Sequence, residues 1–161
     1  MSGPTYYEQL RSLADEYRVD GRPWPASSKQ IAAWAIDAGL WRAHPSTLLN
    51  QCAEHLARAM REDTFVDPQG RTVRAKHAAR MSKDEVQLVL WDDIRTSSRE
   101  HMQIALQQRR QQVVGDCRQL KNDVDSFNDN ANPGSPIQMV FDFTQDLAEF
   151  EALNVMKAVL A

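Results

Sequence analysis

The sequence predicts a mainly α fold: an N-terminal group of three helices with a small β-hairpin, then a long helix and a short C-terminal segment. Three observations predict it. Apolar residues recur at helical spacing in three stretches before residue 61. One turn-forming tetrapeptide, Asp67-Pro68-Gln69-Gly70, separates two short strand-like runs. From about Ser97 to Phe127 nothing interrupts a helix.

The first helix is expected over roughly Tyr6 to Arg18. Leu10, Leu13, Ala14 and Tyr17 fall at i, i+3, i+4 and i+7, a single helical face. Gly21, Pro23 and Pro25 then impose a loop, with Trp24 expected to anchor it to the core. In the second helix Ser27 and Gln30 have the spacing of a reciprocal capping box, and Gly39 stands where a glycine ends a helix. Pro45 suits the first position of the third helix, where a missing N–H costs nothing. Leu49, Cys52, Ala53, Leu56, Ala59 and Met60 are its expected buried stripe. Ser46, Thr47, Asn50, Gln51, Glu54, His55, Arg58 and Arg61 fall on the other face.

Thr64-Phe65-Val66 and Arg71 to His77 flank the Pro-Gly turn as a hairpin. Thr72, Arg74 and Lys76 project to one side, and Val73, Ala75 and His77 to the other. Ser82 to Glu85 has the spacing of another capping box. Val86 to Trp91 reads as the first turns of a helix or as a buried strand, because its periodicity does not decide between them. In the long helix Val113, Cys117, Leu120, Val124 and Phe127 step by four and three, a coiled-coil-like seam fit for homodimerisation. Met102 and Leu106 extend it upstream and Arg109 interrupts it. After the loop Asn128 to Pro136, Ile137, Met139, Phe141 and Phe143 alternate as in a strand or an extended docking segment, and Thr144 is placed to cap a last helix. The resulting division is 1–80, 81–132 and 133–161.

Charge is distributed unevenly. Residues 1–80 hold eleven Lys/Arg against nine Asp/Glu, and residues 81–161 hold eight against thirteen. Arg71 to Arg80 carries four basic residues and no acid, and Asn122 to Met156 carries seven acids and no base. A local basic patch attracts phosphates even on an acidic chain, because salt screens more distant charge. With 42% hydrophobic and 25% charged residues the composition is that of a folded chain. No apolar run spans a bilayer and no leader pattern opens the sequence, so no membrane role is expected. Cys52 and Cys117, each in an apolar helical pattern, fit buried thiols in a reducing, cytoplasmic setting.

Helix, helix, helix, then a basic hairpin is the element order of the winged helix-turn-helix family, which Tyr6 to Arg80 resembles. The resemblance implies DNA as partner, with the third helix in the major groove and the hairpin along the backbone. Ser46, Thr47, Asn50, Gln51 and His55 would then face base edges, and Arg58, Arg61, Arg71, Arg74 and Lys76 would meet phosphates. The chain departs from the simplest members in its longer link from Gly39 to Pro45, in Glu54 on the exposed face, and in lacking an arginine early in the third helix. Winged helices also serve as protein–protein modules, and a non-catalytic interaction module is the alternative. Arg74 and Lys76 serve equally well to guard an edge strand from aggregation. The segment Gln138 to Phe143 resembles the Gln-plus-aromatic peptides that dock on replication sliding clamps, and reads equally as an ordinary strand.

No enzyme, cofactor or metal is expected. The four histidines show no HExxH spacing, and there is no phosphate-binding glycine loop. Asp67 with Lys76 lacks the second acid of a nuclease metal site, since Arg74 stands two residues before the lysine. Asp123 and Asp125 lack the glycine of a calcium loop.

Overall fold

A computed structural model describes residues 3–161. Among them are five helices and two separate two-stranded antiparallel sheets. The chain forms two compact units, Met1–Ala53 and Glu54–Ala161.

In the first unit α1 (Tyr6–Val19) packs on α2 (Ser28–Asp37). Both begin with a reciprocal capping box, Thr5 with Glu8 and Ser27 with Gln30. The second is the one the sequence announced: Ser27 N–H donates to Gln30 Oε1 at 2.8 Å, and Gln30 N–H to Ser27 Oγ at 3.2 Å. Gly39 ends α2 at φ +70°, with its N–H donating to Ile36 O at 3.0 Å and that of Leu40 to Ala35 O at 2.8 Å. These two bonds satisfy the last carbonyls of the helix, and only a residue at ease in the left-handed region makes them without strain. The core of this unit is small. Tyr17 is buried, stands edge-on to Trp34 at 5.5 Å, and sits with Ala35 on the expected faces. Trp24 does not anchor its loop to that core: it is half exposed, with the Arg18 guanidinium over its ring.

Helix α3 (Thr47–Glu62) begins two residues after Pro45 and straddles the two units. Its expected buried stripe is corrected: no α3 residue is buried, and Leu49, Cys52 and Leu56 are exposed. Period alone identifies an apolar face, but it does not supply the surface that covers it.

The second unit holds both sheets. Strands β1 (Thr64–Val66) and β2 (Thr72–Arg74) form the hairpin around the predicted turn. Asp67 holds that turn, accepting from the N–H groups of Gln69 and Arg71 at 3.0 and 2.8 Å, while Gly70 takes φ +83°. The predicted second strand does not continue to His77. It breaks at Ala75, where the chain crosses to β3 (Lys76–Lys83). Ala75 is buried and joins the two hairpins: its N–H donates to Asp63 O at 2.8 Å, and its carbonyl accepts from Ile94 N–H at 2.9 Å.

Val86 to Trp91 belongs to a strand, β4 (Val86–Asp93), paired with β3 over eight residues. The capping-box reading of Ser82 to Glu85 is therefore corrected. Asp84 and Glu85 take φ of +51° and +63°, the two left-handed positions of a tight hairpin turn, and a helix cannot start there.

Helix α4 (Arg99–Asn130) is capped by Ser98, whose hydroxyl accepts from His101 N–H at 3.1 Å. Its first third packs on β3, with Ala79 and Ala105 almost wholly buried. After Ala105 no α4 residue is buried. Pro136 to Phe143 forms no helix, strand or turn, so the strand reading of that segment is not met. Asn128 grips its start, donating to Ile137 O at 2.8 Å and accepting from Ile137 N–H at 2.9 Å. Helix α5 (Thr144–Leu160) follows. Thr144 opens it but does not cap it; Asp142 accepts from both its N–H and its hydroxyl, at 3.1 and 2.7 Å.

Candidate nucleic-acid interface

The residues expected to read bases lie in α3 or just before it. Ser46 is exposed in the preceding turn, its hydroxyl 2.8 Å from His44 Nδ1. Thr47 is half-buried at the first helical position. Asn50, Gln51 and His55 are exposed, as are Arg58 and Arg61. Thr47, Gln51, His55 and Arg58 are spaced four, four and three apart, which keeps them on one face. Arg61 is partly engaged, with its guanidinium 5.9 Å from the centre of the Trp91 ring on β4.

The expected phosphate-binding cations of the hairpins divide into two kinds. Arg71 is held by its own turn, donating to Asp67 Oδ2 at 2.7 Å and to Gln69 Oε1 at 3.3 Å. Lys76 is likewise held, donating to Asp93 Oδ2 at 3.0 Å and Asp63 Oδ2 at 3.2 Å. Those two carboxylates raise the Lys76 ammonium above its ordinary range. Asp93 also takes Arg95 in a two-pronged pair, and the Arg95 bonds, followed by Lys76, drive its carboxyl far below the ordinary range. Asp63, Lys76, Asp93 and Arg95 thus form a charge-balanced cluster at the junction of the hairpins. A cation already satisfied by two carboxylates has less to offer a phosphate.

Arg74 is different. It closes β2, half-buried, and forms no ion pair among the described residues. Arg109 of α4 is exposed at its surface, and partial desolvation first, then the field of Arg74, lowers its guanidinium below the ordinary range. Arg109 has no carboxylate partner among the described residues either. Guanidinium groups without a carboxylate partner keep their hydrogen-bond donors free for an anion. Sequence reading missed this pairing because 35 positions separate the two arginines. The available signal was Arg109 itself, a charge interrupting an otherwise apolar seam.

The expected dimerisation residues remain uncovered. Val113, Leu120 and Phe127 are 51%, 43% and 43% exposed, and Cys117 and Val124 are half-buried. The two cysteines thus depart from the buried-thiol expectation, Cys52 fully so.

No group of three His, Cys, Asp or Glu side chains suited to a metal occurs among the described residues. No helix among them is long and apolar enough to cross a membrane. No protein family, curated protein or solved structure matches the chain.

Proposed function

We propose that this chain is a DNA-binding accessory or regulatory protein, with a winged helix over its first 80 residues and its long helix as the dimerising element. The observation that carries the reading is the order α1, α2, α3, β1–β2 with the exposed polar face of α3. Arg74 and Arg109, which form no ion pair among the described residues, support it. In this reading Arg74 and Arg109 hold the phosphates, with Arg58 and Arg61 beside the base-reading residues. Arg71 and Lys76 chiefly hold the hairpins together.

The test is a fluorescence-anisotropy titration of a labelled random duplex at two salt concentrations. The parent chain should bind in the micromolar range and weaken as salt rises. Substituting Arg74→Ala with Arg109→Ala should lower affinity about tenfold and reduce the salt slope by about 2, the loss of two phosphate contacts. Arg71→Ala should change little. An unchanged affinity and slope in the double variant would sink the assignment.

A second reading, a non-catalytic protein-interaction module, is favoured by α5. None of its residues is buried, and Leu147, Phe150, Leu153 and Met156 are all exposed. A parent chain with no duplex affinity at low salt would select this reading. Deleting residues from Ile137 onward should then abolish partner capture.

A further inference from the structure

The two edges of the β3–β4 hairpin differ. Arg80 on β3 turns its backbone away from β4: its N–H donates to Gln108 Oε1 at 2.7 Å, and its carbonyl accepts from Gln108 Nε2 at 2.9 Å. That side chain closes the β3 edge in the manner of a strand. In an antiparallel ladder, bonded and non-bonded pairs alternate. Arg80 stands opposite Val89, so Val89 also turns its N–H and C=O outward, as do Gln87 and Trp91 on either side. The following residues agree. Ile94 N–H bonds inward to Ala75 O at 2.9 Å, and Asp93 N–H is taken outside the ladder by Asp92 Oδ1 at 2.8 Å.

Gln87, Val89 and Trp91 thus present a free edge, on the side of the hairpin opposite Gln108 and α4. No strand pairs with it among the described residues. The edge lacks the usual safeguards. Eight residues pair with β3 in unbroken register, and Val86 to Trp91 holds no charge and no proline.

We propose that β4 pairs antiparallel with β4 of a second copy about a two-fold axis at Val89, joining two hairpins into one four-stranded sheet. In that register Gln87 of each copy meets Trp91 of the other and Val89 meets Val89, three pairs that exchange two hydrogen bonds each. Between them Leu88 of each copy stands beside Leu90 of the other, on the side of the hairpin where His77 and Ala79 are buried. Moving the axis to Leu88 or Leu90 brings Glu85 or Asp93 into the ladder. Glu85 holds φ +63°, outside strand geometry, and the Asp93 N–H is already engaged. Charge selects the direction. Parallel pairing sets Glu85, Asp92 and Asp93 each against its own counterpart, which is repulsive. Antiparallel pairing sets Asp92 against Val86, and Glu85 against an Asp93 that Arg95 and Lys76 already neutralise. This interface goes beyond the long-helix dimer and is independent of it. A six-residue edge is small, so pairing belongs to concentrations on the order of 0.1–1 mM, above those of the helix seam.

The test is residue-resolved amide exchange by nuclear magnetic resonance in the full Leu120→Ala chain, which keeps the helix seam out of the measurement. At about 1 mM the N–H groups of Gln87, Val89 and Trp91 should exchange two- to fivefold more slowly than at about 50 µM, while Leu88 and Leu90, bonded to β3, stay protected in both. Equal rates at the two concentrations overturn the strand pairing and leave the long-helix dimer standing. In a mixture of isotope-labelled and unlabelled chain, a nuclear Overhauser contact from Leu88 Hα to Leu90 Hα of another copy should appear; protection without it overturns the axis at Val89. Val89→Lys sets two ammonium groups face to face at that axis and should return Gln87 and Trp91 to their dilute rates. Protection retained in this variant, with Leu88 and Leu90 still protected, overturns the pairing.

Discussion

The first third of α4 and the remainder are one continuous helix with opposite surroundings. Between Arg99 and Gln108 it has β3 against it: Ala105 meets the sheet, and His101 and Gln108 donate to strand carbonyls. From Arg109 to Asn130 no residue is buried, and apart from the bonds of Asn128 to Ile137 its side-chain links, such as Gln119 to Asp123 and Lys121 to Asp125, run along its own surface. Such pairs contribute a few tenths of a kcal/mol each, and a lone helix of this length is marginal in water. The difference teaches that sheet contact, not helical period, decides which part of α4 contributes a core to the fold.

The comparison is broken most strongly in the covered third. Ala105→Leu forces a larger side chain against β3 and should cost about 1–3 kcal/mol, read from urea unfolding at any protein concentration. A loss under a few tenths would mean that α4 does not press on the sheet. His101→Leu comes next. An oxygen acceptor places the proton on His101 Nε2, and removing that donor leaves the His77 carbonyl unpaired in a buried site. The expected cost is about 1–2 kcal/mol by the same assay.

In the bare part the prediction changes character. Leu120→Ala should alter the unfolding of dilute chain by no more than about 0.5 kcal/mol, because the side chain is 43% exposed. At high concentration the parent should melt later than when dilute, and the variant should lose that concentration dependence. A variant destabilised equally at both concentrations would show that the seam packs within its own chain.

The smallest effect comes from the part-exposed ion cluster at the hairpin junction. The Asp93 carboxyl is held below its ordinary 3.8 by Arg95 first and then Lys76, and Asp67 is held below by the Arg71 N–H. A depressed folded-state value means that this stabilisation is present above about pH 4 and lost as pH falls below it. Lys76, raised above 10.5, gives the opposite limb: its contribution holds below that pH and fades as pH rises past the folded value. Thermal melts should drop modestly between pH 5 and pH 2.5, since water screens these pairs. Asp93→Asn should flatten part of that drop; an identical acid limb would remove Asp93 from the account.

What the sequence revealed was local chemistry. Ser27 with Gln30, Gly39, and Asp67 with Gly70 each act within a few residues, so their geometry could be read from spacing. The β3–β4 hairpin could not. Its turn uses Asp84 and Glu85 in a conformation usually left to glycine or asparagine, and Ser82 to Glu85 mimics a helix start. Val86 to Trp91 shows no clear period because both faces are mostly apolar, with Gln87 the one polar residue. The site was legible in its α3 and hairpin membership. Its charge balance was not, because Lys76 is neutralised by Asp63 and Asp93, which lie 13 and 17 positions away.

The open edge of β4 bears on solubility as well as assembly. Val86 to Trp91 is a six-residue run without charge or proline, the composition of segments that stack into fibrils when left bare. Precipitation should therefore quicken with concentration, and a charge placed at Val89 should slow it without changing the fold.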